Sequence, residues 1–216
     1  MPGVCVGVRT TSGVEIRATR PCDPASRDDT LMPAIDQAFR EAGLAPRDLG
    51  LVAVSVGPGG FTAVRIAVTA ARMIAQVTGA IVVAVPSACV AAASAPAGEG
   101  AFAVALASKG SDAHVTRFDR SVDVSRARPG AIMEAADLEG LHIRMLIADA
   151  FLPEPMRAWA NRANVPVVPP VFDPRACLRV AMELPATDAV SLVPAYPREP
   201  EAVRKWRELH PKPPGG

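Results

Sequence analysis

Neither sign of charge dominates this chain. Its 216 residues carry 23 basic and 22 acidic side chains, so a broad electrostatic footprint for nucleic acid is excluded and only a local basic patch is left. The four cysteines, Cys5, Cys22, Cys89 and Cys177, form no CxxC pair and no zinc-like spacing, which predicts reduced thiols in a cytoplasmic protein. No apolar run approaches the roughly 20 residues needed to cross a bilayer, and no basic segment followed by an apolar core opens the chain, so no signal peptide is expected. His114, His142 and His210 stand far apart without an HExxH or HxxxH pattern, and neither a GxSxG elbow nor an SxxK pair is present. No metal site and no catalytic residue is therefore assigned.

Half of the residues are hydrophobic and 21% are charged, an ordinary globular balance. "VCVGV" (4–8) and "GVEIRAT" (13–19) read as a hairpin turned at Thr11-Ser12-Gly13. A helix is predicted over 30–42, with Leu31, Ile35, Ala38, Phe39 and Ala42 on one face. Thr30 is expected to cap its start and Gly43 its end. "LGLVAVSV" (49–56) is almost continuously apolar and reads as a buried strand. A second helix follows over 61–78, then a strand over 80–85 and an Ala-rich helix with Ser87 as its cap. This order predicts an α/β layer with a partly parallel sheet. "APAGEG" (95–100) is the linker candidate, dividing the chain into 1–97 and 98–216. Beyond it, strands are expected at 101–107, 113–119, 141–149 and 165–168, and helices at 155–162 and 174–184, with a proline-rich end that wraps the surface.

Gly57-Pro58-Gly59-Gly60 poses the chemical question. A glycine corner that opens a helix presents free N–H groups to an anion. The P-loop lysine is missing, because Phe61, Thr62, Ala63, Val64 and Arg65 follow, and the GxGxxG fingerprint fails at Thr62. By itself the corner is a weak signal for an anion, and a tight strand-to-helix turn that launches the following helix is the expected account of the glycines. On the helix itself, Thr62, Arg65, Thr69, Arg72 and Gln76 form one narrow polar stripe, and the rest of the circumference is apolar. A helix lying on a sheet needs one apolar face, so cover from a second side is expected. Ala63, Ala67 and Ala70 make a small-residue row for that contact. Its occupant is either the 30–42 helix or a partner's helices.

"VSVGPGGFTAVRIAVTAARMIA" resembles the GPGSFTGLRIG motif of the TsaB (YeaZ) family of bacterial tRNA threonylcarbamoyladenosine biosynthesis proteins, within the M22 glycoprotease-like superfamily. "LMPAIDQAFREAGLAPRDLGLVAV" is similar to that family's LLP-containing helix and following strand, and "LVPAYPREPEAVRKW" to its C-terminal PxYLR segment. The resemblance implies an actin-like ATPase, ribonuclease H-like α/β fold with two related subdomains whose mixed sheets are flanked by helices. It implies a non-catalytic subunit that pairs with a TsaD-like paralogue through Leu31, Ile35, Phe39, Thr62, Ala63, Arg65, Ala67, Ala70 and Ile74. A TsaE-like ATPase is a further expected partner, with tRNA reached only through the complex. No resident cofactor is implied, with ATP or ADP confined to a partner interface. Two alternatives stay open: an actin-like ATPase or phosphotransferase using the glycine corner, and a repurposed homologue that forms a homodimer through the same helices.

The sequence also departs from the family. Arg9-Thr10-Thr11-Ser12 replaces an Asp-Thr-Ser turn, Arg27, Asp28 and Asp29 stand where a histidine is common, and Ser108-Lys109-Gly110 replaces Asp-Ala-Arg. His142 is expected within an apolar strand, half-buried. Arg117 and Arg120, near Lys109, read as a charged hairpin face, with a small tRNA patch as the alternative. The Trp206 indole is expected to pack back on the body.

Overall fold

The computed structural model describes residues 3–22, 30–98, 100–121, 123–124, 127–198 and 201–210. Strands β1 (Gly3–Thr10) and β2 (Gly13–Pro21) form an antiparallel hairpin, with a bulge after Val6. Helix α1 (Leu31–Ala42) packs on this hairpin and buries Ala34 and Ala38 against it. Gly43 ends the helix in the left-handed region at φ 67°, as a C-terminal glycine should. Thr30 contributes no side-chain cap, because its own backbone is already near-helical. The departure at Arg27, Asp28 and Asp29 lies outside the described residues.

A 3₁₀ turn (Pro46–Asp48) leads to β3 (Leu51–Ser55), α2 (Phe61–Thr78) and β4 (Ile81–Val85), a strand–helix–strand unit with β3 and β4 parallel and in register from Leu51 opposite Ile81. Apolar residues occupy every position of β4: Val82 packs toward α2 and Val83 and Val85 toward the helix Pro174–Ala181, while Ile81 at its start stays exposed. The short α3 (Ser87–Ala93) buries six of its seven residues. Ser87 is its first residue and not its cap. The hydroxyl instead turns back to the glycine corner.

A five-stranded mixed sheet follows, in the order β7-β6-β5-β8-β9: β5 (Phe102–Lys109), β6 (Asp112–Phe118), β7 (Ala131–Met133), β8 (Leu146–Ala148) and β9 (Val167–Val168). The β5–β6–β7 pairings are antiparallel, and β5–β8–β9 are parallel. A 3₁₀ segment (Ala135–Leu141) and α4 (Glu154–Arg162) pack together on one face. Their Leu138, Met156 and Trp159 join Ala103, Ala105 and Leu146 in one cluster. On the other face, α3 and α5 (Pro174–Ala181) pack against each other. There Val104, Leu106 and Ile147 of this sheet meet Val83 and Val85 of β4 and Val180 of α5 in the largest cluster.

Two expectations in this half change. The apolar run 141–149 yields only a three-residue strand, because His142 adopts φ 48° at the end of the 3₁₀ segment and breaks the extension. His142 is consequently exposed, not half-buried. Helix α5 stops at Ala181, three residues short of Leu184, and Asp173 caps its start by accepting the Arg175 N–H.

The segment from Thr187 to Arg198 runs back over the first half. Thr187 bridges to Val82 of β4 (N to O 2.7 Å), Leu192 is buried beside Val54, Val56 and Val68, and the Ala195 N–H donates to the Val56 carbonyl at 2.7 Å. Arg198 then donates to the Asp112 carboxylate and the Ala107 carbonyl at the β5–β6 end. The last described helix, α6 (Glu201–Leu209), leaves the Trp206 indole exposed and stacked on His210 (centroids 4.8 Å), so the expected packing onto the body does not occur.

Candidate functional site: the glycine corner and the α1–α2 cleft

The glycine corner is tied down from three sides. The Gly57 N–H donates to Ser87 Oγ at 3.1 Å, the Ser87 N–H returns to the Gly57 carbonyl at 2.9 Å, and the Ser55 and Ser87 hydroxyls lie 2.7 Å apart. Ser55 thus has a structural task, holding Ser87 in place. Gly57 sits at φ 104°, and a Cβ there would lie 2.9 Å from the Ala195 carbonyl oxygen, so glycine is required twice over. Gly57 and Pro58, joined by a cis peptide bond, are buried, whereas Gly59 and Gly60 are exposed at the start of α2. Much of the corner's polarity is therefore spent on α3 and the returning segment.

Beside the corner, Phe61 stands 59% exposed, with the Tyr196 ring 5.4 Å away and the Arg65 guanidinium 5.0 Å from its centroid. The β1–β2 turn carries Thr10 Oγ1 bonded to Ser12 Oγ (3.2 Å) and to the Gly13 carbonyl (3.1 Å). Among the described residues, no three His, Cys, Asp or Glu side chains converge. The basic residues of the second hairpin are engaged internally: Arg117 Nε donates to the Leu141 carbonyl (2.9 Å), and Arg120 caps the Phe102 ring (4.3 Å) while donating to the Pro96 carbonyl.

The α1 and α2 side chains singled out from sequence lie about an apolar cleft of about 460 Å³. From α1, Leu31, Ile35 and Phe39 line one wall, and from α2, Ala63, Ala67, Ala70 and Ile74 line the other. Thr62 and Arg65 lie around the helix and outside the cleft. The two helices do not form a tight pair. Each covers its own strands, α1 on β1 and β2, α2 on β3 and β4.

Sequence reasoning missed the most exposed part of α2. Ile66 (52%), Met73 (61%) and Val77 (87%) are large apolar residues in open solvent. At about 100° per residue they fall on one line, next to Ala70 and Ile74. Met32 of α1 is also exposed, next in angle to Phe39. The cleft walls and this stripe form one continuous apolar surface. The signal is present as an all-round apolar helix, but periodicity alone does not say which arc meets the sheet.

The fold is that of an α/β protein of the actin-like ATPase class, with a mixed sheet flanked by helices. The profile of the family described as TsaD, tRNA N6-adenosine threonylcarbamoyltransferase, matches residues 25–142, and the chain belongs to that family. Among solved structures, the fold is similar to YeaZ from Pseudomonas aeruginosa (18% identity, TM-score 0.63, 89% of this chain and 93% of that one). It is similar also to an uncharacterized protein with similarity to peptidase YeaZ from Pseudomonas aeruginosa (18%, TM-score 0.62, 81% and 86%). No curated protein matches.

Proposed function

We propose that this protein is a non-catalytic subunit of a tRNA threonylcarbamoyladenosine modification complex, docking onto a TsaD-like catalytic partner through α1 and α2. Membership in a tRNA-modification family and a YeaZ-like fold support the setting. The observation that carries the docking is the solvent-exposed line Ile66, Met73, Val77 on an otherwise well-formed helix. Large apolar side chains aligned in solvent and continuous with a further apolar surface mark a contact site. The corner supports the non-catalytic reading, since Gly57 spends its N–H and carbonyl on Ser87.

The test is co-purification with the TsaD-like protein of the same cell. Met73→Asp should leave the circular dichroism spectrum unchanged and weaken association at least about 100-fold, since a charge would enter the centre of a desolvated contact. Full-strength association of the variant sinks this docking mode. Magnesium-dependent ATP binding by the isolated chain would favour the phosphotransferase alternative, and a stable homodimer lost in the same variant would favour the self-associating one.

A further inference from the structure

The 3₁₀ segment and α4, on the face of the five-stranded sheet away from α3 and α5, border an open pocket of about 370 Å³. Ile143 and Val165 supply its apolar lining, and Glu139, His142, Trp159 and Arg162 bring polar groups to it. Glu139 stands on the 3₁₀ segment, and Trp159 and Arg162 stand near the end of α4. Both elements end in left-handed backbone without a glycine. His142 at φ 48° closes the 3₁₀ segment, and Asn164 at φ 54° turns the chain from α4 back to Val165. Side chains other than glycine adopt this conformation only when their surroundings fix it, and such positions gather at binding sites.

Trp159 is only 6% exposed, yet its indole N–H has no acceptor among the described residues, where a buried indole ordinarily finds one. The nitrogen is not sealed in the core, as Arg20 Nε and His114 Nδ1 are. It therefore reaches open space, and this pocket is the space that Trp159 lines. The exposed side chains of Glu139, His142 and Arg162 make no hydrogen bond or ion pair with any described residue. Opposite charges thus border one pocket without neutralising each other. The indole N–H and the guanidinium suit a carboxylate. Glu139, with the carbonyls at the C-terminal end of α4, suits an ammonium. A simple anion would leave Glu139 unmatched, and a simple cation would leave Arg162 unmatched.

We propose that this pocket binds a free α-amino acid with an aliphatic side chain. Its carboxylate meets Arg162 and the Trp159 indole N–H, its ammonium meets Glu139, and its side chain lies on Ile143 and Val165. The volume is at the small end of ligand pockets and suits one molecule of that size. The site belongs to the second half of the chain and uses no residue of α1 or α2, so it stands apart from helix docking.

The experiment follows the Trp159 indole N–H resonance of the full chain by proton–nitrogen NMR while L-leucine is added. The chain holds two tryptophans, so Trp206→Phe assigns the signal. L-Leucine should shift it saturably, with half-saturation at or below about 1 mM. Isocaproate, which lacks the ammonium, and isoamylamine, which lacks the carboxylate, should each bind at least about 10-fold more weakly. Arg162→Gln and Glu139→Gln, both at exposed positions, should each weaken L-leucine by at least about 10-fold with the circular dichroism spectrum unchanged. No saturable shift up to about 20 mM would overturn the proposal. Equal affinity for either singly charged probe would overturn it too, as would full affinity in either variant. Met73→Asp, which tests helix docking, should leave the L-leucine response intact.

Discussion

In the five-stranded sheet, β5 has a neighbour on each edge, and Phe102 through Leu106 are all buried. In the first half, β1 has a neighbour on one edge only, and no residue from Gly3 to Thr10 is buried. Both strands are half apolar or more, four of eight residues in β1 and six of eight in β5, so composition separates them only in part. What differs is cover. The β5–β8 pair is clamped between the 3₁₀–α4 layer on one face and α3–α5 on the other, while α1 and α2 each shelter a separate pair of strands. Phe102 through Leu106 are buried because alternate residues of β5 meet a packed layer on each face.

That contrast can be broken most forcefully at Leu146, fully buried in β8. Leu146→Ala should cost about 3–5 kcal/mol in denaturant unfolding, with a cavity that the clamped layers cannot collapse, whereas Val6→Ala in half-buried β1 should cost about 1. Equal losses would mean that the two sheets are equally packed. A substitution of opposite sign sharpens the point. Ala103→Leu forces a larger side chain into a site with no exposure and should destabilise by about 1–3 kcal/mol, while Ala67→Leu projects into the cleft and should be neutral or gain up to about 1. Thermal melts of the pair decide it.

The thiols titrate the same difference. Burial first, then the Asp173 charge, pushes Cys5 up to about 11; burial first, then Cys5, pushes Cys177 up to about 12; burial chiefly pushes Cys89 up to about 11. From their ordinary value of 9.0 upward, the unfolded chain releases protons that the folded chain holds. Their contribution is thus complete below pH 9 and lost as pH rises toward 11. The melting temperature should fall across that window, and Cys5→Ser with Cys177→Ala should flatten the fall more than Cys89→Ala. A modest effect is expected at Arg198, whose pairing with Asp112 is only partly buried. Arg198→Ala should cost about 1 kcal/mol and loosen the returning segment, seen as faster exchange of the Ala195 amide.

Local signals make β3, α2 and β4 legible in the sequence. Their apolar runs are unbroken, and Gly43 and Gly79 both end helices in the left-handed region. Resemblance through the same stretch carries the fold class. Legibility fails wherever pairing over long sequence distances decides the outcome. Ser87 reads as a helix cap because its spacing suits one, yet its hydroxyl is claimed by Gly57, thirty positions away. The run from Leu141 to Asp149 reads as one strand because nothing in its composition announces the left-handed turn at His142. The alanine row on α2 reads as a face that needs cover from a second side. That it lines a cleft shared with α1, β1 and β3 follows from how distant segments pack, and no single segment encodes that.

The return of Thr187 to β4 also has a meaning in time. Its hydroxyl accepts from the Ala84 N–H across 103 positions of sequence, and Leu192 completes a cluster otherwise built from residues 52–84 and Ala189. A ribosome adding about 5–20 residues per second would expose β3, α2 and β4 for roughly 5–20 seconds before their closing segment is synthesised. During that interval the Val54–Val56–Val68 surface is open. Nascent chains of this protein therefore offer chaperones a defined apolar target that the finished molecule conceals.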